Sequence, residues 1–197
     1  MSDFQLYLVE GFRHISDLNA YDHILFITAL CAIYRWSEWK KILILVTAFT
    51  IGHSITLALA TLKVITFPTN VIEFLIPVTI AITCLFNFAV PANNTKQNKS
   101  QPMIYRYLAA AVFGLVHGLG FSNFLRSMLG KQANIVLPLL AFNVGLEIGQ
   151  LVIVIVVLLI SSIGINLLGS KPREWNLIIS GIVLGISITL IQKNWIF

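Results

Sequence analysis

Ile135-Val-Leu-Pro-Leu-Leu-Ala-Phe-Asn143-Val-Gly-Leu-Glu147-Ile-Gly-Gln150-Leu-Val-Ile-Val-Ile-Val-Val-Leu-Leu-Ile160 decides the architecture. Apart from Asn143, Glu147 and Gln150, the run holds only apolar residues, glycine and proline, and it exceeds the ~20 residues that a bilayer core requires. A soluble helix would show a polar face, and this one shows none wide enough to meet water. It reads as a membrane span. The run continues in apolar residues to Leu168, so the helix is expected either to be long and tilted or to break near Ser161, Ser162 and Gly164.

The rest of the chain agrees. Its 197 residues are 57% apolar and 11% charged, with a mean hydropathy of +0.87, values of an integral membrane protein. Further spans are expected near residues 18–35, 41–62, 69–90, 104–127 and 174–195, which with 134–160 makes six. Short connectors join them, and the polar stretch from Asn93 to Gln101 is too short to fold alone. The expectation is an all-α, polytopic transmembrane helix bundle forming a single domain over residues 1–197.

Residues 1–14 mix Phe4, Leu6, Leu8, Val9 and Phe12 with Asp3, Glu10, Arg13 and His14, the pattern of a short amphipathic helix at an interface. With acidic Asp3 and Glu10 and no basic region before the apolar one, this start does not resemble a cleavable signal peptide. The basic residues of this +5 chain are scattered through connectors, which argues against nucleic acid and for membrane anchoring. Eight Lys and Arg fall on one side (Arg35, Lys40, Lys41, Lys96, Lys99, Arg106, Lys171, Arg173) and five on the other (Arg13, Lys63, Arg126, Lys131, Lys193). The eight are expected to face the cytoplasm, with both termini outside. Cys31 and Cys84 lie within spans and lack the paired spacing of a zinc or disulfide framework.

What the spans retain is informative. Ionisable groups cost roughly 2.5–3.5 kcal/mol each at mid-membrane, so several held at similar depth mark a site. Asp22 and His23, His53, His117 and Glu147 are such a set, expected in the outer half of the membrane, and together they are the composition of a metal site. Asp22 and His23 are adjacent, so on a helix they point about 100° apart and are expected to act separately rather than to pair. Thr50 and Ser54 share the His53 stripe and are candidates for orienting its imidazole. Gly114, Gly118 and Gly120 clear space around His117. Asn143, Glu147 and Gln150, at i, i+4 and i+7, line one helix face.

Bland alternatives stand beside these. Asn143 and Gln150 also suit simple interhelical hydrogen bonding, His14 sits where an interfacial histidine is ordinary, and Glu73 is close enough to a span end to be solvated. His53 and His117 each follow a phenylalanine by four residues, a hint of duplication too short to establish a repeat.

The segments His14-Ile-Ser-Asp-Leu-Asn-Ala-Tyr-Asp22-His23-Ile-Leu-Phe, Thr47-Ala-Phe-Thr-Ile-Gly-His53-Ser, His117-Gly-Leu-Gly-Phe and Phe142-Asn143-Val-Gly-Leu-Glu147-Ile-Gly-Gln150 together resemble the HupE/UreJ family of small bacterial membrane proteins. The resemblance points to a divergent branch, with seven residues between His14 and Asp22 and His117 a helix away from Glu147. It implies a multi-pass protein of the bacterial inner membrane, nickel-permease-like, with His14, Asp22, His23, His117 and Glu147 at positions of the family's motifs.

Two functions therefore follow as expectations. In the first, His14, Asp22, His23, His53, His117 and Glu147 bind a nickel, cobalt or zinc ion from the outer side for transport. In the second, a zinc-type hydrolase acts on a lipid, lipoprotein or membrane peptide, with Glu147 or Asp22 as general base on a metal-bound water. Transport is placed first, although the sequence displays neither the paired broken helices of many transporters nor polar groups near the cytoplasmic ends of the same spans. Metal identity, substrate and oligomeric state are not legible in it.

Overall fold

The computed structural model describes residues 2–90, 103–129 and 135–196. The expected polar loop from Asn93 to Gln101, and Lys131, lie outside these. Among the described residues the architecture is helical throughout, with α1 Asp3–Ser16, α2 Asp22–Cys31, α3 Trp39–Thr61, α4 Thr69–Phe88, α5 Met103–Gly120, α6 Ser122–Leu129, α7 Val136–Ser162 and α8 Pro172–Lys193. Trp36–Thr61, α4, Val136–Leu167 and α8 are each long and apolar enough to cross a membrane, and α5 and α6, bent by 50° at their junction, are so only when taken together, as a broken span or a re-entrant loop.

Four of the six expected spans match α3, α4, α7 and α8 closely. The other two are interrupted. Instead of a continuous helix over 18–35, α2 covers only Asp22–Cys31, about 15 Å at 1.5 Å per residue and half of a bilayer core. The cause is Asp17-Leu-Asn19-Ala-Tyr21, where the Asp17 carboxylate accepts from both the backbone and the side-chain amide of Asn19 at 2.8 and 3.2 Å and turns the chain. The expected span 104–127 breaks at Phe121 between α5 and α6. Beyond Ser162, where a break in the long apolar run is expected, a π-helical segment covers Ile163–Leu167, and the Trp175 ring packs over Gly164.

Two glycine seams set the bundle. On α5, Gly114 sits against the Phe49 carbonyl and Gly118 against that of His53, four residues on in both helices, so α3 and α5 run the same way. On α7, Gly145 meets the Leu8 carbonyl and Gly149 reaches Phe12, again four on in both, so α1 runs with α7. The amphipathic α1 is thus laid along a span, with Tyr7, Gly11 and Ile15 as its buried stripe. Such close backbone approach is how helices gain packing where lipid offers no hydrophobic drive.

Directions follow from cross-contacts. Ala29 near the end of α2 accepts from Asn87 near the end of α4 at 2.7 Å, while Asn87 also meets Ser180 and Asn176 of the antiparallel α8. Arg173, at the start of α8, donates to the last carbonyls of α4, those of Asn87 and Phe88. Trp175 there donates to Ser161 at the end of α7 at 2.9 Å. Hence α2, α4 and α7 run together, and α1 joins them. α1 and α2 are two halves of one broken element.

Candidate metal centre

That break is where the chain's four histidines meet. His14 lies in the last turn of α1, His23 is the second residue of α2, His53 sits past the middle of α3, and His117 precedes the bend after α5. The His14 ring lies 4.7 Å from that of His23 and 6.0 Å from that of His53, and His23 is 4.8 Å from His117. Exposure is 4% for His23, 0% for His53 and 2% for His117. His14 Nε2, both nitrogens of His23 and of His53, and His117 Nε2 are buried with no hydrogen-bond partner. Buried polar atoms normally find partners, so imidazole nitrogens without a hydrogen-bond partner on four helices, with the Asp22 carboxylate alone beside His23 Nδ1, call for one.

A metal ion meets that need. One nitrogen from each of His14, His23 and His53 lies within 4.8 Å of the others. Two imidazole nitrogens on one ion at about 2.1 Å stand about 3.4–4.2 Å apart, so adjustments on the order of 1 Å would close the trio. Imidazole binds a metal ion through its neutral form.

Asp22 supplies the charge. Its Oδ1 accepts the His23 backbone N–H at 2.9 Å and lies 3.1 Å from His23 Nδ1, while Oδ2 is 3.9 Å from His117 Nε2. This corrects the expectation that Asp22 and His23 act separately. Asp22 opens α2, where the first N–H groups lack intrahelical acceptors, and its short side chain folds back onto them. The carboxylate thereby lies against His23 and reaches toward His117 without bonding to it.

Phenylalanines wall the centre. Phe49 stacks on His53 at 5.8 Å and Phe113 on His117 at 4.0 Å, each one turn earlier on the same helix, while Phe121 covers His14 at 3.8 Å and Phe142 faces His53 at 6.3 Å. The Phe–His spacing of four, read in the sequence as a hint of duplication, is i,i+4 ring stacking in two parallel helices. His117 is also oriented by its backbone: Nδ1 lies 3.2 Å from the Phe113 carbonyl, which fixes the proton on Nδ1 and leaves Nε2, beside Asp22, as the lone-pair nitrogen.

The remaining candidates line the seam between α3 and α7. Thr50 donates to Gln150 at 2.8 Å, and Thr47 donates to Glu147 at 2.8 Å. Glu147 is outside the histidine trio, and its carboxylate is engaged by a hydroxyl that the sequence reading did not single out. Ser54 donates to the Thr50 carbonyl at 2.6 Å, bonding within its own helix instead of to an imidazole. Asn143 lies beside His53; its amide donates to the Leu139 carbonyl at 2.8 Å, and its Oδ1 is buried without a partner. Glu73 is remote, with its carbonyl taking a bond from Asn194 at 3.0 Å.

The family described as HupE / UreJ protein matches residues 1–196. The chain belongs to the HupE/UreJ family. No curated protein and no solved structure matches it.

In this HupE/UreJ protein, then, the structure gathers His14, Asp22, His23, His53 and His117, and places Thr50, Gln150 and Glu147 along α3 and α7. His14, which the sequence offered both as an ordinary interfacial histidine and as a candidate ligand, is carried into the centre by the Gly11–Gly145 seam. The aromatic wall and Thr47 are the functional groups that sequence reasoning passed over. For the wall, a phenylalanine four residues before a buried histidine is a usable signal; for Thr47 only the seven-residue pattern Thr47, Thr50, Ser54 along α3 offered one.

Proposed function

We propose that this chain is a permease for a divalent transition-metal ion of the nickel, cobalt or zinc type, taken up from the outer side of the bacterial inner membrane with both termini outside. The observation that carries the reading is the convergence of four histidines and one carboxylate from four helices on a buried centre where several ring nitrogens, among them both of His53, lack hydrogen-bond partners. Neutral nitrogen donors with a single carboxylate suit a late first-row cation. Two features that the sequence concealed favour movement over storage. α1–α2 and α5–α6 are both interrupted at the centre, the discontinuous-helix arrangement that many transporters use around their ion sites.

The second feature is a polar track. From His53, Thr50 with Gln150 lies one turn further toward the Trp39 end of α3, and Thr47 with Glu147 the next turn on, about 4.5 and 9 Å along the helix at 1.5 Å per residue. With the Lys/Arg-rich ends facing the cytoplasm, this track leads inward. The hydrolase alternative has less support, because Glu147 is bonded to Thr47 instead of standing on the histidine trio, which leaves it only Asp22, held against His23, as a base.

Proteoliposomes containing the purified protein test the proposal directly. Radioactive nickel, and cobalt and zinc in parallel, should accumulate in wild-type vesicles and fall to the protein-free background with His23→Ala. Wild-type vesicles that bind but never accumulate any of the three ions would refute it.

A further inference from the structure

A second cavity, away from the metal centre, lies at the opposite end of the long span. Its volume is about 220 Å³, and it is bounded by the turn after α2 and by the end of α7 with its π-helical extension. Tyr34 and Arg35 form one side, and Ser161, Ser162 and Asn166 the other, over an apolar wall from Leu158 and Ile165. Every charged or polar side chain lining it carries a donor, and none is a carboxylate. Tyr34 is 5% exposed, and its hydroxyl is buried with no partner.

The serines are arranged likewise. Ser161 accepts from Trp175 Nε1 at 2.9 Å, and Ser162 accepts from the Asn166 amide at 2.9 Å. Each hydroxyl therefore retains its proton for a donor role. Ser162 and Asn166, four residues apart across the start of the π-helical segment, form one lip of the cavity, and such segments recur at functional sites. A pocket with one arginine, several hydroxyl donors and no carboxylate in its lining suits an anion.

Its surroundings say which anion. Trp36 and Trp39, 43% and 55% exposed, follow Arg35 with Glu38 between them, and of the two lysines that come next Lys41 pairs with Glu38 at 2.6 Å while Lys40 lies over the Trp39 ring. Exposed tryptophans next to lysines are the signature of the level at which lipid head groups lie. At that level a basic crevice between helices meets phosphodiesters before it meets free ions.

We infer that this crevice is a binding site for the head-group phosphate of an anionic phospholipid, with Arg35 on the phosphate, Tyr34, Ser161 and Ser162 donating to its oxygens or to the head-group hydroxyls, and Leu158 and Ile165 against the glycerol and upper acyl chains. The site fastens the α2 turn to the α7 end. It is independent of the metal reading, since it uses none of the same residues.

Native mass spectrometry of the purified full-length protein, delipidated and titrated with phosphatidylglycerol, phosphatidylcholine or inorganic phosphate, tests it. Phosphatidylglycerol should bind about tenfold or more tightly than phosphatidylcholine, Arg35→Gln should weaken it about tenfold, as loss of one charge-assisted bond implies, and Tyr34→Phe should weaken it several-fold. Tyr34→Phe keeps the ring and its packing, so its helical circular dichroism should match wild type and folding is controlled. Equal binding of the two lipids, or unchanged affinity in both variants, would overturn the site. Inorganic phosphate binding as tightly as phosphatidylglycerol, and displacing it, would overturn the lipid assignment in favour of free phosphate.

Discussion

The α3·α5 and α1·α7 pairs are built by one device and carry different cargoes. Each is a parallel pair in which glycines spaced by four on the later helix, Gly114 and Gly118 or Gly145 and Gly149, receive the backbone of the earlier one, and a glycine on that earlier helix, Gly52 or Gly11, fits back. The pairs run in opposite directions, and the metal centre lies between them. α3·α5 places His53 and His117 in its seam, stacked on Phe49 and Phe113. α1·α7 contributes only His14, at its very end, and turns Asn143, Glu147 and Gln150 toward α3. The same packing rule thus yields a nitrogen-rich pole and an oxygen-rich track, and their difference lies in which polar residues sit beside the glycines.

Breaking a seam should have the largest effect. A side chain at Gly114 would land on the Phe49 carbonyl and the His53 amide, neither of which can move without parting α3 from α5. Gly114→Leu should therefore cost more than the ~1–3 kcal/mol typical of overpacking and remove both folded yield and metal binding. Gly185, on α8, has nothing within 4 Å, so Gly185→Leu should leave yield and melting temperature near wild type. Thermal unfolding of the two purified variants in one detergent checks the contrast. Equal tolerance of both substitutions would show that the seam is not what holds the centre together.

A smaller effect should separate the two pairs as ligand donors. His14 touches Phe121 at 3.8 Å and could be read as one more ring in an aromatic wall. Replacing it by phenylalanine keeps a ring while deleting the nitrogens. His53→Phe and His14→Phe are each expected to weaken nickel or zinc binding by at least about 100-fold, beyond the 10–100-fold typical of groups that only support a ligand. Isothermal titration with each metal reads this out. Retention of wild-type affinity in His14→Phe alone would reduce α1 to a packing helix and leave the centre to α2, α3 and α5.

How much of this was legible depends on the kind of signal. Hydropathy reads α3, α4, α7 and α8 directly because a span must be apolar over a full bilayer thickness and each of these is one unbroken helix. The interrupted elements escape that test. Asp17 and Asn19 make a turn inside a stretch whose averaged hydropathy still looks continuous, and the bend at Phe121 leaves composition unchanged. Likewise the centre's members are visible as costly residues, but their partnerships are tertiary: whether Glu147 joins the histidines or Thr47 depends on the rotation of α7 against α3, which a seven-residue polar stripe leaves open. His14 was undervalued for a related reason. Its neighbours are charged, and only the matching glycines on α1 and α7 reveal that this helix lies along a span.

The smallest effect expected concerns the oxygen-rich track. If Thr50–Gln150 and Thr47–Glu147 serve passage and not capture, Glu147→Gln should keep equilibrium metal affinity within about twofold, because the carboxylate is not among the clustered nitrogens, while slowing vesicle uptake about tenfold or more. The glutamine can still accept from Thr47, so packing is preserved, and what is removed is the charge that would attract a departing cation. A tenfold change in rate corresponds to about 1.4 kcal/mol, an ordinary magnitude for one charged contact in a partly buried setting. Loss of equilibrium affinity matching that of His53→Phe would move Glu147 into the ligand set and erase the division between the two helix pairs. Unchanged uptake would leave the track as interhelical hydrogen bonding, whose average strength in membranes of about 0.6 kcal/mol is enough to align α3 with α7 without any part in transport.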